Sequence, residues 1–336
     1  MRSFKFLSHQ EPSEGFILVA VLWILAALAT LAAIYSVYVN ETASALVGHD
    51  EGLQAQELAL AGVELAVYQL TATPEAQPSR GKLGFRLGNA DVAVDFRSES
   101  ARIDLNLAPK PLLAGLFTAL GVKSEDAEGF GDRILSWRTP LTSGASDSEA
   151  ALYRSAGMNY GPRHAPFQHV NELGLVLGLP PALIDCAMPY LTVYSGQAGV
   201  DLFNAAPEVL SALPGITPDR LQNLLSQRQG ASQDVLKAQL GTAAQYVTVQ
   251  PSKANRITVA VRFDTKRGVR SQAVVLLPDK DTEPFRMLSW RDDIREPDDT
   301  PKASDPMEQS CARSRAHADV RRGFREFSAV PVSSAS

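Results

Sequence analysis

From Gly15 to Asn40 the chain carries no charged residue, and Phe16–Val39 reads FILVAVLWILAALATLAAIYSVYV. As a helix those residues rise about 36 Å, more than the ~30 Å hydrocarbon core of a bilayer. A run this long and apolar on every face predicts a membrane-spanning helix rather than a buried core helix. The competing pattern is a cleavable secretory signal, whose apolar region is only about 7–15 residues and ends in small residues such as Ala26, Ala27 and Ala29. Arg2 and Lys5 precede the run, and no Lys or Arg follows until Arg80. The positive-inside rule therefore predicts residues 1–15 in the cytoplasm and everything beyond Asn40 outside it.

Beyond the span, 41–70 has no proline and is rich in Ala, Leu, Gln and Glu, so the helix is expected to continue. Leu46, Leu53, Ala61, Leu65 and Val67 form its expected apolar stripe, with Glu57 and Glu64 opposite, and Thr73 and Pro74 end it. The period then changes to two. Phe85 and Leu87 alternate toward Val92, Val94 and Phe96 across the turn Gly88-Asn89, which predicts a β-hairpin. The same alternation returns at Ile257, Val259, Val261 and Phe263, again over Val269–Leu277, and at the edge in Phe285–Trp290. Between these blocks, 104–242 reads as short helices punctuated by Pro and Gly. The predicted fold is α+β: a long N-terminal helix on a small antiparallel sheet (83–103 and 243–290), with a large helical insert (104–242) between strands.

The insert contains an echo. Asp104-Leu105-Asn106-Leu107-Ala108-Pro109 resembles Asp201-Leu202-Phe203-Asn204-Ala205-Ala206-Pro207. Aligned on Asn-x-Ala-Pro, each reads as a strand end, a capping Asn and an early helical Pro. Leu213-Pro214-Gly215-Ile216 and Val170–Leu173 running to Gly178-Leu179-Pro180 read as helix–hairpin–helix turns. Thr217 and Pro180 stand where a phosphate-binding hairpin has its second glycine, and 167–230 carries five acids and two bases, so nucleic acid is not the expected partner.

Composition adds exclusions. With 336 residues, 45% hydrophobic and 21% charged, the chain has room for a sizeable core but not for many spans. Two cysteines, Cys186 and Cys311, exclude a disulfide scaffold and a Cys-rich zinc module, and nothing in their spacing pairs them. The net charge of -5 hides an acidic stem: 41–79 has six acids and no base. His164, His169 and Glu172 fit no strong zinc spacing. The loop acids Asp147, Glu149 and Asp201 suit Ca²⁺, but the twelve-residue calcium loop is absent and the sequence places no such ion. There is no phosphate loop or nucleophile elbow, so no enzyme and no cofactor are expected. The tail, 291–336, is Pro-rich and charged, which predicts disorder.

In this order the pieces resemble the minor pseudopilin K family of bacterial type II secretion systems. The likeness rests on the short leader ending at Gly15, Phe16 opening the apolar helix, the insert between strands, Val170–Leu173, Pro189–Tyr194, the Asn-x-Ala-Pro segment and Phe285–Trp290. It implies a prepilin-peptidase substrate cleaved between Gly15 and Phe16 and methylated at Phe16. It also implies a single-pass inner-membrane protein with a periplasmic head at the pseudopilus tip. The implied partners are the I- and J-type minor pseudopilins, the major pseudopilin, the peptidase and the inner-membrane platform. Most pilins and pseudopilins carry Glu at the fifth mature position; here it is Ala20, as the K type implies, because a tip subunit has no neighbour above to pair a carboxylate in the span. The alternatives are a membrane-anchored competence-type DNA receptor and a minor type IV pilin.

Overall fold

The structure, a computed structural model, describes residues 14–72, 78–142, 144, 146–228, 230–265, 267–278 and 283–292. The expected leader as far as residue 13, the expected helix stop at Thr73 and Pro74, Cys311 and the expected tail beyond 292 lie outside those residues. The chain divides into two compact units, Met1–Glu57 and Leu58–Ser336. In the first, helix α1 (Glu14–Thr71) begins. Its stretch Leu18–Val39 is long and apolar enough to cross a membrane, and none of it is buried.

In the second unit α1 continues to Thr71 and lays Leu58, Ala59, Val63, Ala66, Val67 and Leu70 into the core. This corrects the expected stripe: Leu53 and Leu65 are exposed and Ala61 is half-buried, while Val67 is buried. Small residues decide which side faces the sheet. A Cβ on Gly62 would sit 2.9 Å from Val259 and 3.1 Å from Val94, so the helix backbone approaches the sheet where glycine allows it. A stripe chosen by hydrophobicity alone misses such positions.

Strands β1 (Arg80–Leu87) and β2 (Ala90–Ser98) form the expected hairpin, with Phe85 opposite Val92 and Leu83 opposite Val94. Gly88 supplies the positive φ of 60° that the two-residue turn requires. The sheet is completed by β7 (Ala254–Phe263), β8 (Gly268–Leu276) and β9 (Arg286–Asp292), all antiparallel in the order β1-β2-β7-β8-β9. Even and odd positions separate cleanly. Val92, Val94, Phe96, Ile257, Val259 and Val261 are buried on the side of α1, while Asp91, Asp95, Arg97, Arg256, Thr258 and Arg262 stand at the alternate positions with Ala93 and Ala260 among them.

The insert leaves the sheet after β2 and returns at β7, and it is built from two related halves. The first runs from β3 (Ile103–Asp104) through α2 (Lys110–Ala119), α3 (Ser124–Arg138), α4 (Ser148–Ser155) and α5 (Pro181–Ala187) to β4 (Leu191–Thr192). The second runs from β5 (Val200–Asp201) through α6 (Pro207–Ser211), α7 (Pro218–Gln227) and α8 (Gln233–Leu240) to β6 (Val247–Thr248). Each half closes with a short parallel pair: Asp104 lies opposite Thr192, and Asp201 opposite Thr248. One apolar core serves both, with Phe117, Ile134, Tyr153, Leu183 and Leu210 fully buried. Trp137 stacks on Phe167 within it, ring centroids 5.9 Å apart.

The helical hairpins are α2–α3, turning at Gly121 (φ 95°), and α6–α7, turning at Gly215 (φ 73°). The second was expected. The first corrects the reading of 170–180 as a hairpin: Val170–Leu175 is a 3₁₀ segment, and only α5 follows it.

Candidate functional site

The duplicated element is an aspartate turn. Asp104 accepts the Asn106 N–H at 2.8 Å, and its other oxygen takes the Ser195 hydroxyl at 2.9 Å and the Gly196 N–H at 3.0 Å. Asp201 accepts the Phe203 and Asn204 N–H groups at 2.8 and 3.1 Å, and the Asn204 side chain at 2.9 Å. Both aspartates are buried, and in each turn the main-chain carbonyl of Asp takes the N–H of the alanine four residues on, Ala108 or Ala205. An arginine at the end of the second helix of each hairpin closes the turn. Arg138 donates to the Leu105 and Ala108 carbonyls, and Arg228 donates to that of Ala205.

This geometry corrects the expected role of the asparagines. The two turns align on Asp, which places Asn106 opposite Phe203 rather than Asn204. Neither Asn caps a helix: Pro109 and Ala206 occupy the N-cap positions, without a side-chain cap. Asn106 instead holds the Phe167 backbone with a pair of bonds at 2.7 and 2.9 Å. A second repeat went unread in the sequence. Tyr190-Leu191-Thr192-Val193 and Tyr246-Val247-Thr248-Val249 both end a 3₁₀ segment and enter the parallel pair. In each, the threonine hydroxyl accepts the N–H two residues on, at 3.1 and 3.2 Å.

Insert and sheet meet at Glu99, which is fully buried. Arg256 of β7 grips it from Nε at 2.6 Å and Nη2 at 3.1 Å, and the Thr192 hydroxyl donates to it. Arg256 Nη1 continues to Gln272 of β8 at 2.7 Å. One carboxylate therefore ties β7, the turn after β2 and the last strand of the first half. Burial by itself would push Glu99 up; the charge and hydrogen bonds of Arg256, with Arg102 and Thr192, outweigh it and hold the carboxyl below its ordinary range.

The sign for stability follows. A carboxyl depressed in the folded state stabilises above its unfolded pKa of about 4.3, and that contribution is lost as pH falls through the folded value. The urea midpoint is expected to fall on going from pH 7 into the acid range, and to fall less in Glu99→Gln. Asp95 and Glu208, both pushed up by burial, act in the opposite sense, so the difference between the two proteins is the quantity to measure. Equal pH profiles would remove Glu99 from this role.

The other expected site residues do not gather into one site, although His164 and Asp147 meet. His164 contacts Asp147 at 2.9 Å, His169 accepts the Asn171 N–H at 3.1 Å, and Glu172 pairs with Arg163 at 2.8 Å. Asp147 caps α4 through the Ala150 N–H, while Asp201 serves its own turn. Among the described residues no three His, Cys, Asp or Glu side chains gather to hold a metal ion. Cys186 of α5 is buried and disulfide-bonded. Gly15, Phe16 and Ala20 lie in the first turns of α1.

An apolar helix long enough to cross a membrane, an antiparallel sheet and an insert locked by polar turns make up an α+β chain. Residues 95–196, from the end of β2 through the first half of the insert, match the profile of the family described as type II secretion system (T2SS), protein K. That match spans 102 of the 336 residues and supports the type II secretion minor pseudopilin K family. A chain in the crystal structure of the GspK-GspI-GspJ complex from the enterotoxigenic Escherichia coli type 2 secretion system has the same fold. It is 16% identical with a TM-score of 0.53, over 73% of this chain and 98% of that one. No curated protein matches the sequence.

Proposed function

We propose that this protein is a non-enzymatic minor pseudopilin at the tip of the periplasmic pseudopilus, where it initiates assembly for protein export across the outer membrane. The observation that supports the reading most is the protein K match over 95–196, in a chain that opens with the exposed apolar stretch Leu18–Val39. In this reading the leader is removed between Gly15 and Phe16 and the new terminus is methylated. The apolar helix anchors the subunit in the inner membrane, cytoplasmic end first, and later leaves the bilayer for the filament core. Ala20 presents no carboxylate to a neighbour's amine, which suits a subunit with nothing above it. The head, outside the cytoplasm, packs against I- and J-type minor pseudopilins, by analogy with the complex that shares its fold, and the major pseudopilin follows beneath.

Co-expression with a prepilin peptidase is expected to yield a mature chain beginning at Phe16 by mass spectrometry, and Gly15→Leu is expected to leave only full-length protein. The mature chain should co-purify with the I- and J-type subunits. Full-length protein persisting beside an active peptidase would sink the processing reading. Mature chain without co-purification would sink the tip reading alone.

A further inference from the structure

The sheet face turned away from α1 is cationic. The cross-strand registers place Lys82 beside Asp95, Arg80 beside Arg97, Arg97 beside Arg256, and Gln272 beside Arg291. Arg80, Lys82 and Arg291 are exposed, and Arg270 of β8 stands on the same face. Where the insert covers one end of this face, a cavity of about 120 Å³ remains. Its sheet side is Asp95, Arg97 and Arg256, Arg102 follows on from the Glu99 turn, and the insert adds an apolar wall that includes Pro189 and Val209.

The charges in this cavity are unequally employed. Arg256 is committed to Glu99 and Gln272, and both Glu99 oxygens are taken. Arg102 is different. Among the described residues its guanidinium makes no hydrogen bond, although it lines the cavity. Its surroundings oppose its charge: burial first, then Arg256, with Glu99 opposing and Arg97 and Arg291 adding, bring it down to about 9. Its charge is offset by Glu99, whose oxygens Arg256 and Thr192 already occupy, so its own donors are left for an incoming anion. Three guanidiniums against Asp95 and Glu99 leave one positive charge, which a single carboxylate neutralises, and the apolar wall suits the methylenes of a glutamate.

We propose that this cavity is a docking site for a glutamate side chain presented by an acidic segment of a partner protein, with Arg102 as its direct partner and the cationic sheet face drawing in the neighbouring acids. Planar, two-point recognition of a carboxylate is what the guanidinium fork does best. The surrounding face supplies long-range attraction that salt screens.

The test uses the full-length protein in detergent micelles and a fluorescein-labelled peptide of alternating Gly and Glu, read by anisotropy, with the Gly–Gln peptide as its neutral counterpart. At about 20 mM salt the Glu peptide is expected to bind and the Gln peptide not, with binding lost as salt approaches about 200 mM. Arg102→Met is expected to weaken binding about thirtyfold. Arg86→Gln, on the same face but paired with Asp91 and Asp264, should weaken it less than about threefold. Arg102→Met also removes a charge that helps hold Glu99. Arg102→Lys, which keeps the charge but loses the fork, therefore separates a binding loss from a folding loss: it should melt as the parent does and still bind more weakly. Equal binding by Arg102→Met, parent-like binding by Arg102→Lys, or equal binding of the Gln peptide would overturn the proposal. So would tighter binding of inorganic phosphate, a single-stranded oligonucleotide or phosphatidylglycerol vesicles than of the Glu peptide.

Discussion

Glu99→Gln is expected to destabilise the second unit by about 3–5 kcal/mol, the range seen when one partner of a buried ion pair is removed. The residue is fully buried and accepts from Arg256 twice and from Thr192 once. The amide keeps the shape but loses the charge, and leaves Arg256 close to Arg97 and Arg102 without the carboxylate that offsets it. For a folded unit of this size the loss corresponds to a melting temperature lower by about 10 °C. The pair is not itself a large source of stability, because desolvating two charges offsets most of their attraction. The double variant Glu99→Leu/Arg256→Met should therefore recover most of what Glu99→Gln loses. A melting temperature for Glu99→Gln within a degree or two of the parent, or a double variant no better than the single, would show that the junction does not depend on this pair.

Why that junction was invisible in the sequence is a matter of spacing. Glu99 and Arg256 are 157 residues apart, and a contact of that range leaves no periodic trace. The sheet was legible because alternation is a local signature of a strand with one covered face: Val92, Val94 and Phe96 point one way whatever lies beyond. The apolar run at the N-terminus was legible for the same reason, since its signal is a length and a composition. The part of α1 on the sheet was misread where Ala59, Gly62 and Ala66 meet the strands. Helix-on-sheet packing at short distance selects small side chains, which a search for Leu passes over. The duplication was half legible. Asn and Pro drew attention to it, but the conserved geometry belongs to Asp104 and Asp201, whose carboxylates do in both halves what no asparagine does in either. The turn at Gly121 went unread because Leu120-Gly121-Val122 lies 17 residues after Asp104 and its counterpart Pro214-Gly215-Ile216 only 14 after Asp201, so the two turns fall out of register when the halves are aligned on the aspartates.

Two glycine-to-alanine changes in adjacent helices are expected to have opposite signs. Alanine is favoured over glycine inside a helix by about 1 kcal/mol. At Gly129 in α3 nothing lies within 4 Å of the added carbon, so Gly129→Ala should gain up to that amount. At Gly115 in α2 the same carbon would sit 2.0 Å from the Ala212 carbonyl oxygen and 2.8 Å from its carbon, at the end of α6. Both obstacles are backbone, so no rotamer relieves them. The helix end that must move carries Val209 and Leu210, both buried in the shared core. Gly115→Ala is expected to cost about 3 kcal/mol, the upper part of the range for overpacking, against the intrinsic preference for alanine. Urea denaturation of the two variants measures both signs in one experiment. A neutral or stabilising Gly115→Ala would mean that the halves of the insert can separate there. The expected loss means that α2 and α6 meet backbone to backbone, and that the two aspartate turns are held as one body against the sheet.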